Sequence, residues 1–120
     1  MKAAVTSTSR FIDGSIGTKT VFGRYMLIFD FDSMEYEAII NPINALKDMS
    51  AIELFAEILS QEDISVLFIN DCNPAIKKTL EYSGIEVIEG MYGIVRDVLK
   101  NFTKVSNSDS KFATIKALNI

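Results

Sequence analysis

The residues best suited to chemistry follow a short apolar run at positions 66–69. Asn70 and Asp71 end the run, Cys72, Asn73 and Pro74 come next, and a helical pattern begins at once. Asparagine is a good helix N-cap, and proline is tolerated at the first helical position because its missing N–H needs no partner there. The run is uniformly apolar and too short to span a membrane, which predicts an inner parallel strand. Cys72 is therefore expected at the carboxyl end of that strand, where open α/β sheets bind ligands.

Cys72 is the only cysteine in the 120 residues, and it has two interpretations. Beside a helix N-terminus its thiolate would be favoured, which would make it a better ligand or nucleophile. A lone cysteine is, however, often simply a small buried apolar residue. One cysteine forms no internal disulfide, which fits a reducing cytoplasm.

Several kinds of active site are excluded by what the chain lacks. It contains no histidine, which removes Ser-His and Cys-His nucleophile pairs and histidine-based zinc sites. The segment GSIGTKT at 14–20 is not a phosphate loop, because lysine does not directly follow its second glycine and a strand follows the segment. Asp30 and Asp32 would share one face of a predicted strand, as in a two-metal nuclease. The first strand offers no further carboxylate, so we interpret the pair as a solvated strand end.

The charge distribution separates a basic N-terminal part from an acidic remainder. The net charge is −4 and the pI is near 4.8, the wrong sign for a nucleic-acid-binding protein. Residues 1–24 nevertheless carry Lys2, Arg10, Lys19 and Arg24 against Asp13 alone. A basic loop on an acidic body could attract a small anion, although a solvated surface loop would have the same composition.

The length and composition predict one domain with its own core. Apolar residues make up 48% of the chain, and no stretch reaches the roughly 18 consecutive apolar residues of a spanning helix. The first six residues lack the long apolar region of a signal peptide. We therefore expect a cytoplasmic protein.

Apolar periodicity and turn residues predict the element order β-β-β-α-β-α-β-α in a single α/β domain at residues 1–102. A meander followed by crossovers gives a mixed sheet with helices on its faces. The first helix is expected to start at a capping box, Ser50 to Glu53. The last helix is expected to present Tyr92, Val95, Leu99 and Phe102 on one face. Residues 103–120 are predicted to be a tail, either disordered or an appended helical turn.

Six segments of the chain carry a resemblance to a known family. They are MKAAV at 1–5, FGRYMLIFD at 22–30, NP at 41–42, CNPA at 72–75, SGIEV at 83–87 and the helical stretch 90–102. In their order and spacing they resemble the dinitrogenase iron–molybdenum cofactor biosynthesis family, which contains the NifX-like and NafY-like carrier domains. The resemblance covers residues 1–102. It implies a ribonuclease H-like fold, with a mixed five-stranded sheet of strand order 3-2-1-4-5 and helices on both faces.

The resemblance also implies a function, which is to bind or carry an iron–sulfur-type metallocluster without catalysis. The cargo would be the iron–molybdenum cofactor or a related precursor. The partners would be the proteins that donate or accept the cluster, with no role for nucleic acid or membrane. The protein itself would be a monomer or a homodimer.

The same resemblance implies the binding residues. They are Cys72 as the metal ligand, with Asn73, Phe22, Gly23, Arg24, Lys19 and Arg10 around the cluster. Many relatives carry histidine just before the Phe-Gly pair, where this chain has Val21. This departure supports an alternative, a family member that has lost the cluster and serves as a regulatory or partner-binding module.

Overall fold

The computed structural model describes residues 1–18 and 23–106, which form a five-stranded mixed sheet with helices on both faces. The strand order β3-β2-β1-β4-β5 confirms the predicted 3-2-1-4-5 order. The strands are β1 (Lys2–Ser7), β2 (Tyr25–Asp30), β3 (Glu35–Ile40), β4 (Ile64–Phe68) and β5 (Glu86–Ile88). The helices are α1 (Met49–Gln61), α2 (Pro74–Tyr82) and α3 (Val95–Ser106), and a 3₁₀ turn covers Pro42–Ala45.

Strand β1 lies at the centre of the sheet because its side chains are small or apolar and can be covered on both faces. It pairs antiparallel with β2 and parallel with β4. Every residue of β1 after Lys2 is buried. Val5 is aligned with Phe68 at the end of β4, so the carboxyl ends of β1 and β4 lie side by side. These two strand ends position the candidate site.

The core has two layers, one on each face of the sheet. Helices α1 and α2 cover the face that carries Ala4 and Met26, whereas α3 covers the face that carries Val5 and Leu27. The predicted apolar stripe of α1 is confirmed, because the buried residues of this helix are Ile52, Phe55, Ala56 and Leu59. Alternation along β1 therefore decides which side chains can reach which helices.

The hairpin between β2 and β3 turns earlier than the sequence suggested. Strand β2 ends at Asp30, whose Oδ1 accepts hydrogen bonds from the backbone N–H groups of Asp32 at 2.8 Å and Ser33 at 3.5 Å. The first of these bonds is the main reason that the pKa of Asp30 is lowered. Asp32 lies in the turn and pairs with the amino group of Met1 at 2.8 Å. The prediction that the two aspartates share a strand face was wrong, and both have structural partners.

Two helix starts also differ from the prediction. The N-cap of α1 is Asp48, whose Oδ1 accepts from the N–H of Ala51 at 2.9 Å, so the capping box predicted at Ser50 does not form. Tyr92 precedes α3 and is 79% exposed, because the chain turns at Gly93 (φ +94°) before the helix begins. Periodicity therefore placed Tyr92 wrongly on the apolar face.

Helix α3 continues to Ser106, past residue 102, where the domain was predicted to end. Residues 107–120 of the predicted tail lie outside the described part of the chain. Among the described helices, none is long and apolar enough to cross a membrane.

Candidate functional site

A cleft of about 390 Å³ opens at the carboxyl ends of β1 and β4. It is bordered by the loop that follows β4, by the long connection between β1 and β2, and by the segment around the 3₁₀ turn. Ile69 and Ile76 give it an apolar wall that belongs to the core under α1 and α2. The cleft therefore combines polar loop groups with an apolar surface, which is the usual make-up of a small-ligand site. We call it the thiol cleft, after Cys72.

The structure brings three predicted site residues together in the thiol cleft. They are Cys72, Asn73 and Gly23. Sequence reasoning did not select the other polar and glycine residues of the lining, which are Thr6, Gly17, Thr18, Asn44 and Asp71. A threonine and an aspartate at strand ends carry no spacing signal of their own, and only the strand order reveals that they meet.

Cys72 lines the cleft but is 6% exposed and packs within the core. Burial raises the pKa of its thiol to about 11, and the carboxylates of Glu89 and Asp71 add to the rise while Lys77 opposes it. The expectation that the helix N-terminus would favour the thiolate is thus wrong. Desolvation and two nearby carboxylates outweigh the helix dipole, and the thiol is protonated at neutral pH.

Asn73 is the N-cap of α2, as predicted. Its Oδ1 accepts a hydrogen bond from the N–H of Ala75 at 2.8 Å, and Pro74 occupies the first helical position. This cap directs the amino-terminal end of α2, with its partial positive charge, to the edge of the sheet where the cleft opens. The sequence signal at 72–74 therefore identified both the strand end and the helix start.

Gly23 lies directly against the end of β1. A Cβ at this position would be 2.9 Å from Thr6 Cβ and 2.9 Å from Ser7 N, which leaves no room for a side chain. Its carbonyl oxygen accepts from Asn41 Nδ2 at 2.8 Å and from Asn44 Nδ2 at 3.4 Å. Glycine at 23 is thus required by packing, and Asn41, which ends β3, holds it in place.

Thr6 forms part of the same wall. The residue is 2% exposed, and its Oγ1 has no hydrogen-bond partner within the described part of the chain. Most buried hydroxyl groups are paired with protein or with ordered water. Thr6 is an exception among the described residues, because its buried hydroxyl is unpartnered.

The predicted arginines lie at a different place, close to the ring of Tyr25, and form what we call the basic cluster. Arg10 Cζ is 5.5 Å and Arg24 Cζ is 5.9 Å from the centre of the Tyr25 ring. A hydrogen bond from Arg10 lowers the pKa of Tyr25, and the charges of both arginines add to the effect. Neither arginine lines the thiol cleft. The predicted binding residues therefore do not form one contiguous set. Cys72, Asn73 and Gly23 lie in the thiol cleft, whereas Arg10 and Arg24 lie near Tyr25.

Two further predicted residues, Lys19 and Phe22, lie outside the described residues, as does Val21 at the position of the family histidine. Over residues 1–18 and 23–106, no three acidic or cysteine side chains are grouped so that they could hold a metal ion. Cys72 is consequently the one soft ligand that the described cleft provides.

Comparison with known proteins identifies the family. The family model described as dinitrogenase iron-molybdenum cofactor matches residues 1–105, nearly all of the chain. The chain belongs to the dinitrogenase iron-molybdenum cofactor family. Membership in this family relates the protein to the iron–molybdenum cofactor and its biosynthesis. The matched range ends at residue 105, one residue before the end of α3.

Solved structures share the fold of this cofactor-family domain. The apo form of the orange protein from Desulfovibrio gigas superposes with a TM-score of 0.70 at 23% identity, covering 86% of this chain and 87% of that one. An NMR structure of a Thermotoga protein of the DUF35 family, described as a NifB protein, gives a TM-score of 0.67 at 15% identity, covering 92% and 97%. No curated protein sequence matches the chain. At these identities the structural likeness concerns the fold.

Proposed function

We propose that this protein is a non-catalytic carrier that binds an iron–sulfur-type metallocluster in the thiol cleft. The cargo is the iron–molybdenum cofactor or a related precursor, received from one cytoplasmic protein and passed to another. The proposal rests on the family, whose name refers to this cofactor, and on one observation in the structure. Cys72, from the end of β4, lies in the same cleft as the unpartnered hydroxyl of Thr6, from the end of β1.

The residues of the cleft suit an anionic cluster held by one protein ligand. Thiolates are the usual protein ligands of iron–sulfur clusters. Cys72 must lose its proton to bind iron, so that binding is coupled to proton release, and its high pKa makes the empty site unreactive. The amino-terminal end of α2 favours negative charge nearby. Gly23 lets the lining of the cleft pack directly on β1, where a Cβ would collide with Thr6 and Ser7.

The basic cluster has a separate part in the proposal. Arg10 and Arg24 both lie close to the ring of Tyr25, and Arg24 directly follows Gly23 of the cleft lining. Two guanidinium groups beside the cleft on an otherwise acidic protein attract an anion and increase its rate of arrival. We propose that Lys19 and Phe22, which lie between Thr18 and Arg24 in the sequence, contribute with them.

The proposal is tested with protein purified without oxygen from its own host. We expect iron by metal analysis and sulfur-to-iron charge-transfer bands in the visible spectrum, and we expect both to disappear in Cys72→Ser. The circular dichroism of the variant serves as the control for folding. A colourless, metal-free protein, or a spectrum that Cys72→Ser leaves unchanged, would contradict the carrier function.

The same sample decides the oligomeric state of the loaded protein. One cysteine per chain supplies two ligands if a cluster bridges two copies across a two-fold axis. Light scattering on loaded and cargo-free protein separates a monomeric carrier from a cluster-bridged dimer.

A second candidate is a family member that has lost the cluster and binds a protein partner. The protonated, buried state of Cys72 favours it, together with the complete lack of histidine. Affinity capture from the host under oxygen-free conditions discriminates the two. Capture of the same partner by the unmodified protein and by Cys72→Ser, with no metal in either, is expected of a partner-binding module and not of a carrier.

A further inference from the structure

The Thr6 hydroxyl differs from the other buried polar side chains of the protein. The described residues include three that are buried and polar, namely Thr6, Ser7 and Asn41. Ser7 Oγ donates to the carbonyl of Ser9 at 2.8 Å and accepts from its N–H at 3.2 Å. Asn41 donates to Gly23 and accepts from Ile43. Thr6 Oγ1 alone among these side chains has no partner there.

The position of Thr6 on β1 aims its side chain at the thiol cleft. Side chains alternate along a strand, so Thr6 shares a face with Ala4, which packs in the core under α1 and α2. Ile69 and Ile76 of that core also line the cleft. Ser7 points to the opposite face, toward α3. Thr6 therefore contributes to the wall of the cleft and not to the second core layer.

An unpaired buried hydroxyl lowers the stability of a folded protein, so its presence at Thr6 suggests a role other than stabilising the fold. A hydroxyl removed from water without a replacement hydrogen bond destabilises a folded protein, whereas a ligand that restores the bond recovers that cost on binding. Gly23 covers Thr6 closely on one side, with Thr6 Cβ 2.9 Å from where a Cβ of residue 23 would lie. Oγ1 has almost no accessible surface in this structure, so a ligand atom in the cleft contacts it once the Thr6 side chain has turned toward the cleft.

We propose that Thr6 Oγ1 is a hydrogen-bond donor to an anionic acceptor atom of the bound ligand, forming a recognition subsite distinct from the Cys72 sulfur. This inference rests on the proposed carrier function and deepens it. A hydroxyl donates to an anion with a shorter and stronger bond than to a neutral group. Both a sulfide or oxo atom of an anionic cluster and an oxygen of a free oxyanion have this acceptor chemistry. The hydroxyl would thus distinguish an anionic cargo from a neutral one of the same size.

The experiment compares Thr6→Val, which keeps the shape and removes the hydroxyl, with Thr6→Ser, which keeps the hydroxyl. Each is titrated with two probes, an iron–sulfur cluster assembled anaerobically from ferrous iron and sulfide, and inorganic phosphate followed by NMR. We expect cluster affinity to fall about tenfold in Thr6→Val and to stay near that of the unmodified protein in Thr6→Ser. The cargo-free Thr6→Val protein should melt no lower than the unmodified one, because no existing bond is lost.

Ser7→Ala is the matched control on the opposite face of β1. It also loses a buried hydroxyl, and we expect it to lower the melting temperature while leaving cluster affinity unchanged. A parallel loss of cluster affinity in Ser7→Ala would overturn the proposal, because the effect would then follow strand stability and not the subsite.

The remaining outcomes separate the subsite from the carrier function. Cluster binding that Thr6→Val does not weaken would overturn the subsite and leave the carrier intact. If the unmodified protein binds phosphate in a Thr6-dependent way but no cluster, the subsite stands for oxyanions and the carrier function fails. If neither probe binds, both proposals fail.

Discussion

Glu89 accepts a hydrogen bond from the backbone N–H of Cys72, with 3.3 Å between Oε1 and the nitrogen. The second oxygen of the same carboxylate lies 2.8 Å from Lys77 Nζ. Glu89 therefore ties the loop after β4 to helix α2 and places a negative charge beside the thiol. Burial is the main cause of the raised pKa of Cys72, the Glu89 carboxylate adds to the rise, and Lys77 opposes it.

Glu89→Gln should lower the pKa of Cys72, and Lys77→Gln should raise it. The carboxylate disfavours the thiolate and the ammonium favours it, although burial remains the largest cause of the shift. The rate of alkylation of Cys72 as a function of pH measures both changes in cargo-free protein. Equal pH profiles in the two variants would show that the charge of neither residue acts on the sulfur.

The stability of the cargo-free protein should decrease above pH 9 because of Cys72. The folded state holds the thiol proton up to about pH 11, whereas the unfolded chain releases it near the ordinary value of 9.0. The folded state therefore binds more protons between these values, and stability is lost as the pH rises through this window. The full loss is about 3 kcal/mol for a shift of this size. Denaturant unfolding of Cys72→Ala, which lacks the group, should show a correspondingly smaller decrease from pH 8 to pH 11.

Gly23→Ala should destabilise the protein by about 1–3 kcal/mol, because the added methyl group meets Thr6 Cβ and Ser7 N at 2.9 Å. Arg24→Ala is the control, since Arg24 is the next residue and is exposed. A change of about 0.5 kcal/mol or less is expected for it. Urea unfolding of both variants provides the comparison, and equal stabilities would contradict the close packing of Gly23 on β1.

Asn73→Ala should cost about 1 kcal/mol of stability through loss of the α2 cap. Asn73→Asp keeps an oxygen that can accept from the Ala75 N–H and should remain close to the unmodified protein. Its added negative charge lies in the cleft beside Asp71, so it should weaken the binding of an anionic cluster. Thermal unfolding and cluster titration of the two variants separate the capping effect from the charge effect. An Asn73→Asp protein that binds the cluster normally would argue against an anionic cargo in the cleft.

Reversing both arginines, Arg10→Glu with Arg24→Glu, should slow cluster uptake by about tenfold at low ionic strength, and the difference should shrink as salt is added. Lys78→Glu is the control. Lys78 is an exposed residue of α2 in the groove between α1 and α2, and its substitution changes the net charge by the same amount as each arginine reversal. Stopped-flow absorption at the charge-transfer bands gives the rates. The single variants Lys78→Glu and Arg24→Glu change the net charge equally. If they slow uptake equally, then the net charge of the protein governs uptake, and not the position of the arginines near Tyr25.

Local patterns were sufficient for most of the architecture. The apolar run before Cys72 and the Asn73-Pro74 pair identified β4 and the start of α2, and the stripe from Ile52 to Leu59 identified the buried face of α1. Each of these signals depends on residues that are neighbours along the chain. The errors were also local, since Asp48 caps α1 in place of Ser50 and Tyr92 precedes its helix. Where two candidate caps or turns compete within a few residues, the sequence pattern does not rank them.

The residue pattern determined the element order and the place of one cysteine between a strand and a helix start, and the resemblance to a known family implied the strand order. Only the tertiary structure decided the chemistry of that cysteine, the separation of Arg10 and Arg24 from the cleft, and the unpartnered hydroxyl of Thr6. The reason is physical. Secondary structure follows from periodicity over short stretches, whereas a pKa or an unmet hydrogen bond depends on burial and on groups far apart in the chain, such as Glu89 and Cys72, which are 17 residues apart.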